Sequence, residues 1–176
     1  MVKIRFVTVL LILSISLASC VKGGKAGLDL FSRSFSCEYS YVVGETNVRV
    51  RLTSVKKGEE REMTLSFIEP SALFGIVCKG DGRDFCASLG DVEIDGAAAA
   101  ALASSATLFT DLRKSEFCAR VEEKGQMLEH FKCISTEGCE TSVYLDGKTE
   151  LPVKISGEVS GRLIDIFIVS FERIGD

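Results

Sequence analysis

Seven cysteines and one histidine are the residues of this 176-residue chain best equipped for chemistry. The thiols are Cys20, Cys37, Cys78, Cys86, Cys118, Cys133 and Cys139; the imidazole is His130. A Cys/His or Ser/His/Asp site needs a base beside its nucleophile, so it would have to use His130. No G-x-S-x-G elbow accompanies it. Zinc sites draw on closely spaced ligand pairs such as C-x-x-C. None is present, and His130 stands three residues before Cys133. Within Met127-Leu128-Glu129-His130-Phe131 it reads as a strand residue on the polar face. Asp81, Asp84, Asp91 and Asp95 fall at turns, where Asp is common because its side chain bonds the local backbone. Gly80-Asp81-Gly82 reads as a hairpin turn and not as a phosphate cradle. These residues predict a chain without catalytic residues, metal or cofactor.

The cysteines leave two readings open. Excluding Cys20, six remain, and three bridges among six thiols allow 15 connectivities. Equally, each can be a small buried hydrophobe. Cys37 falls on the apolar face set by Phe35, Tyr39 and Tyr41. A two-residue Asp81-Gly82 turn sets Cys78 opposite Phe85 and Cys86 opposite Val77, on different sides of a sheet. Cys133 and Cys139 flank Ser135-Thr136-Glu137-Gly138 and form the best local pair.

Cys20 is a separate case. It closes Leu17-Ala18-Ser19-Cys20, behind Lys3, Arg5 and the apolar run from Phe6 to Leu17. A basic start, a short apolar core and small residues before a cut mark a secretory leader. The run is too short for a spanning helix, which needs roughly 20 residues. A Cys directly after the small pair resembles the lipobox of bacterial lipoproteins. That resemblance implies a diacylglyceryl thioether on Cys20, removal of residues 1–19 and a mature chain beginning at Cys20. Two acyl chains hold a protein to a bilayer where one holds poorly. The expected location is therefore the extracytoplasmic face of the cell membrane, or the outer membrane in a two-membraned envelope. An ordinary leader with Cys20 near its cut, or a short uncleaved anchor, are the alternatives.

Residues 1–19 hold two of the 21 basic residues and no acidic ones. The remaining 157 residues, one domain in size, carry 19 basic against 25 acidic side chains, a net charge of −6. That balance argues against nucleic acid and against docking on anionic headgroups. Residues 20–27, with Gly23, Gly24 and Gly27, read as the lipidated Cys and a flexible tether; residues 28–176 form the domain.

The domain is rich in strand signals. Apolar residues alternate over 35–41, 47–53 and 63–67, which predicts an amphipathic antiparallel meander. Pro70 ends the third strand. Residues 76–78 and 84–87 form a hairpin, and Val92 and Ile94 a short strand. Ala97 to about Lys114 is the one clear helix, capped by Asp95. Strands resume over 117–121, 127–134, 141–145, 153–159 and 162–171. The expected fold is mainly β (α+β): a curved sheet or half-barrel of about ten strands, with one main helix on its concave face.

Two stretches carry a further resemblance. Glu69-Pro70-Ser71-Ala72-Leu73-Phe74-Gly75-Ile76, followed by Gly80-Asp81-Gly82, is one. The other is Tyr144-Leu145-Asp146-Gly147-Lys148-Thr149-Glu150-Leu151-Pro152-Val153-Lys154-Ile155. Together with the element order, they make residues 34–173 similar to the lipoprotein-carrier superfamily, the LolA/LppX-like half-barrels. That resemblance implies an incomplete antiparallel barrel around an apolar concavity partly plugged by helices. Members bind lipids or the acyl chains of lipoproteins there, or sense envelope stress. The groove residues expected here are Val48, Val50, Leu52, Leu65 and Phe67 on the sheet, facing Leu102, Phe109 and Leu112 on the helix. The expected partners are the membrane through Cys20, a lipid or acyl chain, or an envelope protein if these side chains instead fill a core.

Overall fold

The computed structural model describes residues 28–110, 112, 115–134 and 140–175. Eleven antiparallel strands form one sheet: β1 (Phe35–Val43), β2 (Thr46–Lys57), β3 (Glu60–Glu69), β4 (Ile76–Gly80), β5 (Phe85–Leu89), β6 (Val92–Ile94), β7 (Ser115–Glu123), β8 (Gln126–Ile134), β9 (Glu140–Asp146), β10 (Pro152–Val159) and β11 (Arg162–Arg173). Their spatial order is β6-β5-β4-β3-β2-β1-β11-β10-β9-β8-β7. Two meanders thus meet where β1 pairs with β11. The sheet is curved and does not close, so β6 and β7 are its two edges.

Those two edges are consecutive in sequence, so the chain between them must cross from one side of the sheet to the other. It does so as α1 (Gly96–Ala103) followed by a 3-10 segment, Ser104–Phe109. At 1.5 and 2.0 Å per residue this strap is roughly 24 Å long. Asp95 caps it, its carboxylate accepting from Ala97 N–H at 2.8 Å. The α-helix ends earlier than its alanine-rich sequence suggests. The Ser104, Thr107 and Thr110 hydroxyls donate to the carbonyls of Ala101, Ser104 and Thr107, each at 2.7 Å. Such side-chain bonds to residue i−3 compete with the α-helical ladder and favour the tighter turn. Arg113 and Lys114 lie outside the described residues.

The strap packs on β5 and β4 through α1, and on β10 through the 3-10 segment. Gly157 makes the second contact possible. A Cβ there would stand 2.6 Å from Leu108 Cδ2. Phe109 enters an aromatic core, 5.0 Å from Tyr39, 6.1 Å from Phe31 and 6.2 Å from Phe35 between ring centroids. Phe171 of β11 stacks on Phe35 at 5.3 Å. Arg61 donates to Ser54 Oγ and to the Phe31 carbonyl, both at 2.7 Å, and so ties the turn Leu28–Ser32 to β2 and β3.

The β4–β5 hairpin is wider than a two-residue turn. Asp81 Oδ1 accepts from the backbone of Arg83 at 2.8 Å and of Asp84 at 3.0 Å, which opens a four-residue loop. The register becomes Gly80↔Phe85, Lys79↔Cys86 and Cys78↔Ala87. Cys78 is therefore buried opposite Ala87 and not Phe85, and Cys86 is exposed opposite Lys79 and not Val77.

Candidate functional site

Antiparallel pairing puts the β1–β2, β3–β4 and β5–β6 turns at one end of the sheet, together with the β10–β11 turn. The turn Leu28–Ser32 leads into β1 at the opposite end. Near the first end, an open cleft of about 320 Å³ lies between the sheet and α1. Tyr41 and Val43 of β1, Thr46 and Val48 of β2 and Phe67 of β3 line one side. Pro70 and Leu73 of the β3–β4 connection, with Ala101 and Leu102 of α1, line the other. The helix sequence explains the space. Ala97 to Ala101 carry only methyl groups, and the helix buries Ala99 and Ala103, which brings its backbone close to the sheet. Only Leu102 reaches out with bulk. Beyond it, Leu108 and Phe109 fill the barrel and the cleft stops.

Of the eight groove residues expected from sequence, Val48, Phe67 and Leu102 line this cleft. Val50, Leu52, Leu65 and Phe109 are essentially without solvent exposure, and Leu112 is buried with them in the hydrophobic core. Val48 and Phe67 belong to the same buried core while also bordering the cleft, and the other five are packed core only. They sit further along their strands or further along the strap, where Phe31, Phe35 and Tyr39 meet Phe109. The lining also includes Tyr41, Val43, Thr46, Pro70, Leu73 and Ala101, which that set omitted.

Polar groups beneath the strap are satisfied. Tyr39 OH and Ser105 Oγ share a hydrogen bond of 2.9 Å. Burial pushes the Tyr39 phenol well above its ordinary value and the Tyr41 phenol above it, so both stay neutral.

His130 stands on the convex face, stacked on Tyr144 at 4.6 Å with Nε2 3.0 Å from Ser142 Oγ. Lys154 lies over the Tyr144 and Phe167 rings. Partial burial, then the Lys132 charge, lowers the imidazole's pKa. Cys133 is buried among the inward-facing residues, so the two cannot pair as base and nucleophile. Cys37, Cys78, Cys86, Cys118 and Cys133 are free thiols. Burial pushes Cys78 and Cys133 up to about 11, and Cys37 higher, so these three are inert thiols at neutral pH. Among the described residues no three His, Cys, Asp or Glu side chains gather as a metal set, and no helix is long and apolar enough to cross a membrane. Cys20 and Cys139 lie outside the described residues.

Compared with solved structures, the chain is similar to an uncharacterized conserved protein from Thermus thermophilus, with a TM-score of 0.53 and 13% identity over 85% of this chain and 84% of that one. The likeness is one of fold. Lower-scoring similarities run to a LolA superfamily protein from Nitrosomonas europaea and to the lipoprotein LppX of Mycobacterium tuberculosis. For the first, the TM-score is 0.44 and the identity 10%, over 86% and 93% of the two chains; for LppX, 0.41 and 9%, over 85% and 93%. No family model matches the sequence, and no curated protein is significantly similar to it.

Proposed function

We propose that this chain is a non-catalytic, lipid-anchored envelope protein that takes an apolar ligand, such as an acyl chain or a lipid, into the cleft between β1–β3 and α1. The supporting observation is the cleft itself. Its walls are mostly apolar, and its volume lies at the lower end of the roughly 300–1,000 Å³ range of ligand sites. The alanine run keeps it open, since no large side chain of α1 other than Leu102 reaches the sheet there. Cys20 would hold the protein on the extracytoplasmic face of the membrane, or on the outer membrane where there are two.

A second reading has its own support. Seven of the eight side chains expected to line a groove are buried in the core, with Leu102 alone partly exposed, as in a scaffold or sensor that binds another envelope protein and holds no ligand. Native mass spectrometry after purification without detergent separates the two. The ligand reading expects a bound apolar species that leaves on denaturation, plus a covalent diacylglyceryl mass at Cys20. A chain that repeatedly carries nothing, and one specific crosslinked protein in intact cells, would replace it with the scaffold reading.

A further inference from the structure

The walls of the cleft decide what charge an occupant can bring between β1–β3 and α1. None of the nine residues that line it is ionised at neutral pH: eight have no titratable side chain, and burial keeps the Tyr41 phenol protonated. A carboxylate, phosphate or ammonium group drawn into this space would leave water without meeting a counter-charge, which is costly. The walls still carry polar atoms. Tyr41 and Thr46 bring hydroxyls to them, and Tyr41 belongs to a row of hydroxyl groups beneath the strap.

Proton counting sets the direction of that row. Tyr39 has no solvent exposure, and the partner of its hydroxyl among the described residues is Ser105 Oγ, at 2.9 Å. Were Ser105 the donor, the Tyr39 hydrogen would be buried without an acceptor, the costlier arrangement. Tyr39 therefore donates and Ser105 accepts. Ser105 is fully buried too, so its own hydrogen needs a place. The hydroxyl within reach is that of Tyr41, whose ring stacks beside Tyr39 at 6.0 Å and whose phenol has Ser105 as a hydrogen-bonding neighbour. With the Tyr41 oxygen accepting from Ser105, the Tyr41 hydrogen is left for the cleft. Hydrogen bonds in a row polarise one another, so this phenol donates more strongly than an isolated one.

We infer that the ligand of this cleft is an uncharged chain bearing a hydrogen-bond acceptor, such as the carbonyl of an ester, and that Tyr41 donates to that acceptor. The inference rests on the cleft being a ligand site, and names the class of ligand. It separates a neutral ester from a free fatty acid or a cationic amphiphile of the same chain length.

The test displaces the neutral probe N-phenyl-1-naphthylamine from the purified protein at neutral pH, using methyl octanoate, octanoate and octyltrimethylammonium. The ester is expected to displace it at concentrations at least about tenfold lower than either ion, since only the ions must shed water without a counter-charge. Tyr41→Phe removes one oxygen and keeps the ring. It is expected to weaken the ester by about three- to tenfold, the worth of one hydrogen bond, while the naphthylamine and the ammonium ion bind as before and thermal melting shows the variant folded. Should that variant not fold, the order of ester and ions on the native chain still decides the charge class. An ion that displaces the probe as well as the ester does, or an ester affinity that Tyr41→Phe leaves unchanged, overturns the inference and leaves the cleft standing, because the naphthylamine still binds. Failure of the naphthylamine and of all three competitors to bind the native chain overturns the cleft as well.

Discussion

Glu38 and His130 show how far single residues on the convex face are tuned by their neighbours. Glu38 accepts from Arg49 and from Arg51, each at 2.7 Å, and those two bonds hold its carboxyl below the usual range. Asp146 is lowered by the Gln126 amide, then by the backbone N–H groups of Thr149 and Lys148. A lowered carboxylate contributes stability that is present above its unfolded pKa near 4 and is lost as pH falls through the folded value. Neither group therefore changes stability between pH 7 and 5. His130 does. Its folded pKa lies below 6.5 because burial, and then Lys132, disfavour the imidazolium. Its contribution is complete above pH 6.5 and declines as pH falls toward the folded value. The melting temperature should fall between pH 7 and 5, and His130→Gln should flatten that part of the curve without moving the fall below pH 4. An unchanged slope in the variant would remove His130 as the cause.

At the scale of elements, the C-terminal end of the strap is held by two close approaches. The β4–β5 loop meets it at Gly82, where φ is +102° and a Cβ would clash with the Thr110 side chain. Gly157 of β10 admits Leu108, two residues earlier. Gly157→Ala should destabilise by about 1–3 kcal/mol through overpacking, read as a shift of the urea midpoint. Leu108→Ala in the same chain should recover part of that loss, because it removes the atom that clashes. Additive losses in the double variant would show that the contact is not the reason for the glycine.

Most elements were legible in the sequence because alternation at period two survives in β1, β2, β3, β9 and β10. Three local features were not. The hydroxyls of Ser104, Thr107 and Thr110 turned a long predicted helix into a short one with a 3-10 tail. The side chain of Asp81 widened a turn and shifted a register. Alternation also tells which face a residue takes, but not how far along the barrel it stands. Val48 and Val50 share a face and both are buried, yet Val48 borders the cleft and Val50 does not. The missing information was the height at which the strap's bulk begins. That follows from where Ala101 gives way to Leu108 and Phe109 once the strap is laid across the sheet.

At the scale of the whole molecule, a sheet whose two edges are neighbours in sequence has its own connection as a lid. Small residues in the first half of that connection leave a cleft; bulky ones in the second half close the barrel. Whether the cleft is a ligand site is best tested by titrating the purified protein and its Leu102→Glu variant with N-phenyl-1-naphthylamine. Leu102 is partly exposed at the margin of the core, so a carboxylate there keeps contact with water while placing a charge on the cleft wall. Saturable binding to the native chain, and affinity at least about tenfold weaker in the variant at an unchanged melting temperature, is the expected result, a loss of about 1.4 kcal/mol or more. Equal affinity in both proteins, or fluorescence that rises without saturating, would contradict a ligand site in this cleft.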